Sequence, residues 1–184
     1  MNTKEYLMNI FKIFPIFLFM LLILASCNYQ GNKHTEPVDR EKIEASLIEA
    51  NKKSVMIEDG HIEDYIQRKD WKMQKTGTGL RYKIYDVGDG DKAVEGKVVA
   101  LEYSVQLING DLIYSSDNNG LKEFLIGKGG VGAGLEEGIL LLREGDSAKF
   151  ILPSHLGFGL TGDGDKIPPK STLIYNVKLL TIKR

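Results

Sequence analysis

The stretch Val98-Val-Ala-Leu-Glu-Tyr-Ser-Val-Gln-Leu-Ile108, followed at once by Asn109-Gly110, decides the fold. Val99, Leu101, Tyr103, Val105 and Leu107 fall on one face, and Ala100, Glu102, Ser104 and Gln106 on the other. A period of two marks a half-buried strand. Asn109-Gly110 supplies the φ > 0 residues of a tight hairpin, so Leu112 to Ser115 is predicted to return as the partner strand. Further strands are predicted at Leu80 to Val87, Glu123 to Ile126, Ser147 to Pro153 and Thr172 to Lys183. Ala148, Phe150 and Leu152 point inward on one, and Leu173, Tyr175, Val177 and Leu179 on another. The one helical window among them runs from Gly134 to Leu142 and is stopped by Glu144-Gly145-Asp146. The expected class is α+β, a curved and mostly antiparallel sheet around one short helix.

Upstream the period changes. Ile43, Leu47, Ala50, Ser54 and Ile57 recur at steps of four and three behind Asp39, a candidate N-cap, which predicts a helix over about 39–58. Gly60 is expected to interrupt it, and Ile62, Tyr65, Ile66 and Trp71 predict a second helical stretch to about Lys69. Residues 39–76 are thus a helical stem ahead of a domain over 77–184. The stripe covers barely three heptads, short of a coiled coil, so a docked or loose stem is preferred to dimerisation through residues 39–69.

Residues 27–38 are polar, with Gly31 and Pro37 and no apolar period, as in a solvated tether. Before them, Lys4 and Lys12 precede an apolar run of twelve residues, Ile13 to Leu24, and the segment ends Leu24-Ala-Ser-Cys27. This is the layout of a secretory signal over 1–26. Twelve residues rise only about 18 Å as a helix against a hydrocarbon core of about 30 Å, so cleavage is preferred to a permanent span. Leu-Ala-Ser-Cys resembles the bacterial lipobox, which implies that Cys27 is acylated and holds the chain to a lipid bilayer. Asn28 stands where an aspartate would, in some bacteria, retain a lipoprotein at the inner membrane. By that resemblance the anchor lies in the outer membrane and faces the periplasm.

The charges exclude several classes. Lys and Arg number 24 against 25 Asp and Glu, interspersed along the chain, so no basic field attracts nucleic acid and no nucleic-acid partner is expected. The single cysteine cannot form an intramolecular disulfide, and His34, His61 and His155 match no zinc spacing, so no metal site is expected. Gly127-Lys-Gly129-Gly-Val-Gly132 satisfies G-x-G-x-x-G, but without a βαβ unit or a following acidic residue it is a weak dinucleotide signal. Asp89-Gly90-Asp91 and Asp163-Gly164-Asp165 lack the spacing of a calcium loop and are read as turns. Ser154 and His155 are neighbours without a nucleophile elbow, which gives a hydrolase little support.

Tyr103, Tyr114, Phe124, Leu135, Phe158, Ile167 and Tyr175 accumulate at strand ends and loops. By default they are core; at the open rim of a curled sheet they would line a hollow for apolar ligands. Their order, with Ile113-Tyr114-Ser115-Ser116, Phe124-Leu-Ile-Gly127, Val131-Gly132-Ala-Gly134-Leu135-Glu-Glu-Gly138, Phe158-Gly159 and Ile167-Pro168-Pro169, resembles the FKBP-type peptidyl-prolyl cis-trans isomerases over roughly residues 79–184. With the lipidated N-terminus, the Glu49-Ala-Asn-Lys-Lys-Ser-Val55 helix and Pro153-Ser-His155, the chain also resembles the gliding-motility-associated FKBP-type lipoproteins of Bacteroidetes.

That resemblance implies an isomerase without a cofactor, acting on proline-containing exported polypeptides. It places Tyr103, Tyr114, Leu135 and Phe158 as catalytic residues, with Leu135 as the pocket floor where the family often has Trp. Ile113, Phe124, Val131, Gly132, Ile167 and Tyr175 would bind substrate, the Gly132 N–H reaching a substrate carbonyl. Phe158 lacks the hydroxyl of the usual tyrosine, Ile113 replaces a wall phenylalanine, and Tyr114 stands where an aspartate helps orient the twisted amide. An envelope chaperone or interaction module with weak or no turnover is the alternative use of the same pocket.

Overall fold

The structure, a computed structural model, describes residues 39–183; the expected signal segment 1–26, the tether and Cys27 lie outside the described residues. Two compact units divide between Ala45 and Ser46. In the described part of the first, Asp39 caps the start of a helix: its Oδ1 accepts the N–H of Lys42 at 3.2 Å and its carbonyl that of Ile43 at 3.1 Å.

That helix, α1, runs unbroken from Arg40 to Arg68. After it come β1 (Gln74–Lys75), β2 (Arg81–Asp86), β3 (Val98–Leu107), β4 (Leu112–Ser115), the single turn α2 (Ser116–Asn119), β5 (Lys122–Leu125), α3 (Ala133–Leu140), β6 (Ser147–Leu152), a 3-10 turn (Ser154–Leu156) and β7 (Leu173–Lys183). All pairings are antiparallel, in the order β1-β2-β6-β7-β3-β4, with β5 also on β3. The outer edge of β3 is divided: β5 pairs with Val98 to Leu101 and β4 with Ser104 to Gln106. The predicted hairpin forms at Asn109-Gly110, where Gly110 adopts φ 101° and Asn109 Oδ1 accepts the N–H of Asp111 at 3.0 Å.

One face of the sheet closes on α3. Leu135 and Ile139 pack with Leu101, Val105, Phe150, Leu152, Leu173 and Val177. The approach is close because α3 presents glycine to the sheet. A Cβ on Gly138 would lie 2.8 Å from the Phe150 ring, and one on Gly134 would lie 2.8 Å from Leu156 Cβ and 2.9 Å from Leu152. The spacing of four puts both on one side of the helix.

The stem differs from its sequence expectation in three respects. Gly60 does not interrupt α1, because contacts on both sides of it outweigh the roughly 1 kcal/mol that a helical glycine costs. The buried residues of α1 are Ile62 and Ile66, while Leu47 and Ile57 of the anticipated stripe are exposed. Within the span read as stem, Gln74–Lys75 forms an edge strand on β2.

Ile62 and Ile66 meet Ile151 of β6 and Ile174 of β7, with Tyr65 and Trp71 packed alongside. Those strand residues alternate with Phe150, Leu152, Leu173 and Tyr175, so the helix covers the face of the sheet that α3 does not. Beside the apolar contact, the Arg81 guanidinium, 1% exposed, donates to Asp59 at 2.5 Å, Glu63 at 2.8 Å and the Gly79 carbonyl at 2.6 Å. Lys75 also donates to Asp59, at 2.9 Å.

Two outcomes are expected. Gly138→Ala forces a methyl against the Phe150 ring, and urea denaturation should show a loss of about 1–3 kcal/mol. The second concerns acid. The hydrogen bond from Lys75, then Arg81, hold Asp59 below its ordinary value of 3.8, against the upward pull of desolvation. Stability from a lowered carboxyl is complete above that value and lost as pH falls through the native one. Trp71, the one tryptophan of the chain, packs edge-on against Tyr65 of α1 and under the Lys149 ammonium of β6. Below pH 3.8 its fluorescence should therefore change before the sheet's circular dichroism does; coincident transitions would show that α1 does not release separately.

Candidate functional site

Register builds the candidate site first. β3 and β7 pair Val105 with Tyr175 and Tyr103 with Val177, while β4 sets Tyr114 opposite Val105. Leu135, in the first turn of α3, lies beneath these side chains at the concave face. The glycine-rich loop into α3 makes one rim. Gly127 and Gly129 take φ 84° and 69°, and the Gly127 N–H donates to Glu136 Oε1 at 2.5 Å, closing the loop onto the helix. The loop after β6 makes the opposite rim with Phe158. The glycines thus shape a wall of the hollow, consistent with the weak nucleotide signal.

The result is a half-open hollow of about 520 Å³, lined by Tyr103, Val105, Tyr114, Val131, Gly132, Leu135, Phe158 and Tyr175, with Asn119, Lys122, Gly129, Gly130 and Asp163. Its size lies within the roughly 300–1,000 Å³ of small-ligand sites. Seven of the ten anticipated site residues meet here, and three do not reach the lining. Phe124 is buried and backs the glycine loop, its Cβ 3.5 Å from where a Cβ on Gly130 would stand. Ile113 is next to Tyr114 on a strand, where neighbours point apart, and packs against the core. Ile167 is buried and braces the following loop: its N–H donates to Asp163 Oδ1 at 2.8 Å and its carbonyl accepts the Asp163 N–H at 3.2 Å.

Asp163 is the residue that sequence reasoning missed. It does form a turn, since its Oδ1 also accepts the N–H of Asp165 at 2.9 Å. The same turn, however, sends Oδ2 into the wall, where it accepts the Tyr114 hydroxyl at 2.5 Å. Gly162 permits this closure: at φ 71°, a Cβ there would stand 2.1 Å from the Ile167 carbonyl. The available signal was an acid four residues before Ile167, inside the segment that carries the resemblance.

The electrostatics of the pair follow from that bond. The hydrogen bond to Asp163, then desolvation and the carboxylate charges, push Tyr114 up to about 12. Desolvation raises Asp163, but the bonds from Tyr114 and from the N–H groups of Asp165 and Ile167 outweigh it and hold the carboxyl below its ordinary value. Burial pushes Tyr175 up to about 12 as well. At neutral pH Tyr114 and Tyr175 are therefore neutral and Asp163 is ionised. The Lys166 ammonium sits 5.3 Å from the Tyr114 ring centre.

Gly132 caps α3, its carbonyl accepting the N–H groups of Leu135 at 3.0 Å and Glu136 at 3.1 Å. Among the described residues its own N–H forms no hydrogen bond. A second hollow, of about 560 Å³, lies between α1 and the 107–109, 154–160 and 170–172 segments, and holds none of the anticipated residues.

The sequence model described as FKBP-type peptidyl-prolyl cis-trans isomerase matches residues 90–180. A probable FKBP-type peptidyl-prolyl cis-trans isomerase FkpA of Neisseria meningitidis is 40% identical over 111 residues, 60% of this chain and 40% of that relative. An FK506-binding protein of the same species is 37% identical over 105 residues, 56% of this chain and 96% of the relative. The crystal structure of FkpA from Escherichia coli aligns with a TM-score of 0.62 at 27% identity, covering 78% of this chain and 67% of that one. The chain therefore spans less than half of the first relative but nearly all of the second. Sequence match, sheet order and enclosed helix agree, and the chain belongs to the FKBP-type peptidyl-prolyl cis-trans isomerase family.

Proposed function

We propose that this chain catalyses cis-trans isomerisation of X-Pro bonds in exported polypeptides, from a lipid anchor at Cys27 on the periplasmic side of the outer membrane. The observation that carries the catalytic part is the convergence of Tyr103, Tyr114, Val131, Gly132, Leu135, Phe158 and Tyr175 on one apolar hollow. The anchor rests on the Leu24-Ala-Ser-Cys27 sequence, together with the resemblance to gliding-associated lipoproteins. Among the described residues, no helix is long and apolar enough to cross a membrane.

The chemistry matches what the hollow offers. An X-Pro amide has a barrier of about 18–20 kcal/mol because resonance must be broken, while its isomers differ by only about 0.5–1 kcal/mol. The catalyst forms no bond; it binds the twisted amide better than either planar form. Leu135 floors the ring, Tyr103 and Tyr175 hold its sides, and the apolar walls keep water from an amide whose dipole shrinks as it twists. The Gly132 N–H takes the carbonyl preceding the amide. Tyr114 spends its proton on Asp163, so together they present a carboxylate face from strand β4 and a separate turn, where the family's pattern has one aspartate. Lowering the barrier by about 4 kcal/mol gives roughly a thousandfold acceleration.

The alternative, an envelope chaperone or interaction module, is favoured by one feature: Phe158 has no hydroxyl for the ligand and stands 37% exposed at the rim beside the more exposed Leu160.

In a protease-coupled Xaa-Pro peptide assay the chain should accelerate isomerisation, and an uncatalysed rate from folded protein would leave the chaperone alternative. Tyr114→Phe and Asp163→Asn should each lower kcat/KM roughly tenfold, about 1.4 kcal/mol, with the fold intact. Because they share one bond, the double variant should be little worse than either single one. Leu135→Ala should cost about 2–5 kcal/mol of stability and weaken substrate binding. Equal turnover in all of them would place the site elsewhere. For the anchor, Cys27→Ser should replace a membrane-bound product with soluble or uncleaved protein, read by fractionation and mass spectrometry; an unchanged acylated mass excludes Cys27 as the lipidated residue.

A further inference from the structure

Glu58 of α1 lies outside the prolyl hollow and takes no part in the chemistry above. Its partners lie 96 and 114 residues away in sequence. Oε1 accepts the Ser154 N–H at 2.7 Å and the Thr172 hydroxyl at 2.6 Å, and Oε2 accepts the Ser154 hydroxyl at 2.8 Å. Three bonds on one side chain tie α1 to two segments distant in sequence.

What these bonds hold is the root of a pocket wall. Ser154 opens the 3-10 turn, and its carbonyl accepts the N–H groups of Gly157 at 3.1 Å and Gly159 at 2.8 Å, the two residues that flank Phe158. Gly159 in turn accepts the N–H of Lys170 at 2.8 Å, tying the wall to the segment that ends at Thr172. Thr172 immediately precedes β7, whose third residue is Tyr175. On the other side, a Cβ on Gly132 would stand 3.5 and 3.6 Å from the carbonyl oxygens of Leu156 and Gly157, so the turn also abuts the amide-binding rim. Phe158 is itself partly exposed, and the main-chain bonds on both sides of it run through Ser154.

We infer that Glu58 is a positioning residue: by clamping Ser154 and Thr172 it makes the docked helix α1 set the place of Phe158 and the width of the prolyl hollow. The inference rests on the isomerase reading of that hollow. The neighbouring Asp59 supplies the control. It docks the same helix through Arg81 and Lys75 but bonds neither Ser154 nor Thr172; its route to the 154–159 turn is indirect, through Arg81 to the Gly79 carbonyl and from the adjoining Thr78 carbonyl to His155 Nε2, 3.0 Å away.

The test compares the full chain with Glu58→Ala, Glu58→Gln and Asp59→Ala, at a temperature where circular dichroism shows all four folded. Peptide-assay kinetics and the amide NMR shifts of Gly157, Phe158 and Gly159 are the two readouts. Glu58→Ala should lower kcat/KM five- to tenfold and move those amide signals. Glu58→Gln, which keeps an acceptor oxygen, should recover part of both. Asp59→Ala should lose stability yet stay within twofold of wild-type kcat/KM, with the three amide signals in place. Wild-type kinetics in folded Glu58→Ala, or an equal loss in Asp59→Ala, overturns the role. An inactive wild type instead refutes the isomerase reading, and the amide shifts then decide the clamp by themselves: unmoved signals in Glu58→Ala overturn it.

Discussion

The contact between α3 and β6 is the constraint on which the rest of the structure depends. An eight-residue helix is too short to be stable in water without tertiary contacts, so packing must hold it. It reaches the sheet because Gly134 and Gly138 bring its axis against Leu152, Leu156 and Phe150 at distances that no side chain would tolerate. Leu135 and Ile139 are then buried in the curl of the sheet. Leu135 belongs to the core and also lines the hollow. Changes at this contact reach the stability of the fold and the lining of the hollow together.

On the opposite face, α1 performs a different task. Its mean hydropathy is low, and its buried residues number only Ile62 and Ile66. Directional bonds complete the docking: Arg81 gathers Asp59, Glu63 and the Gly79 carbonyl, and Glu58 gathers Ser154 and Thr172. A buried guanidinium would be costly alone, but two carboxylates and a carbonyl placed around its planar fork offset that cost. Apolar contact supplies attraction, and these bonds supply register. Register matters because the 154–172 region carries both Phe158 and Asp163.

The wall of the hollow joins two groups distant in sequence: Asp163, in a turn 49 residues beyond Tyr114, accepts that tyrosine's hydroxyl. The pair remains tyrosine and carboxylate at neutral pH because each stabilises the other's ordinary protonation state.

Every strand but the two-residue β1 was legible in the sequence, because alternation is a local property: Val99 to Leu107 and Leu173 to Leu179 declare their faces without reference to neighbours. The hairpin at Asn109-Gly110 and the window of α3 were legible for the same reason. So were the residues of the hollow whose order carries the resemblance, since Tyr103, Leu135, Phe158 and Tyr175 sit at fixed points of those elements. What remained for the tertiary structure was everything set by partners distant in sequence. Gly60 reads as a helix breaker until Glu58, Asp59, Ile62 and Glu63 find their contacts on the sheet. Ile151 and Ile174 read as wet-face residues until α1 covers them. Asp163 reads as a turn residue because its backbone role is local, whereas its bond to Tyr114 exists only once that turn meets strand β4. Sequence alone determined which residues could face a common interior; only the closed structure decided which of them stand at its open rim, because that depends on where loops from separate strands converge.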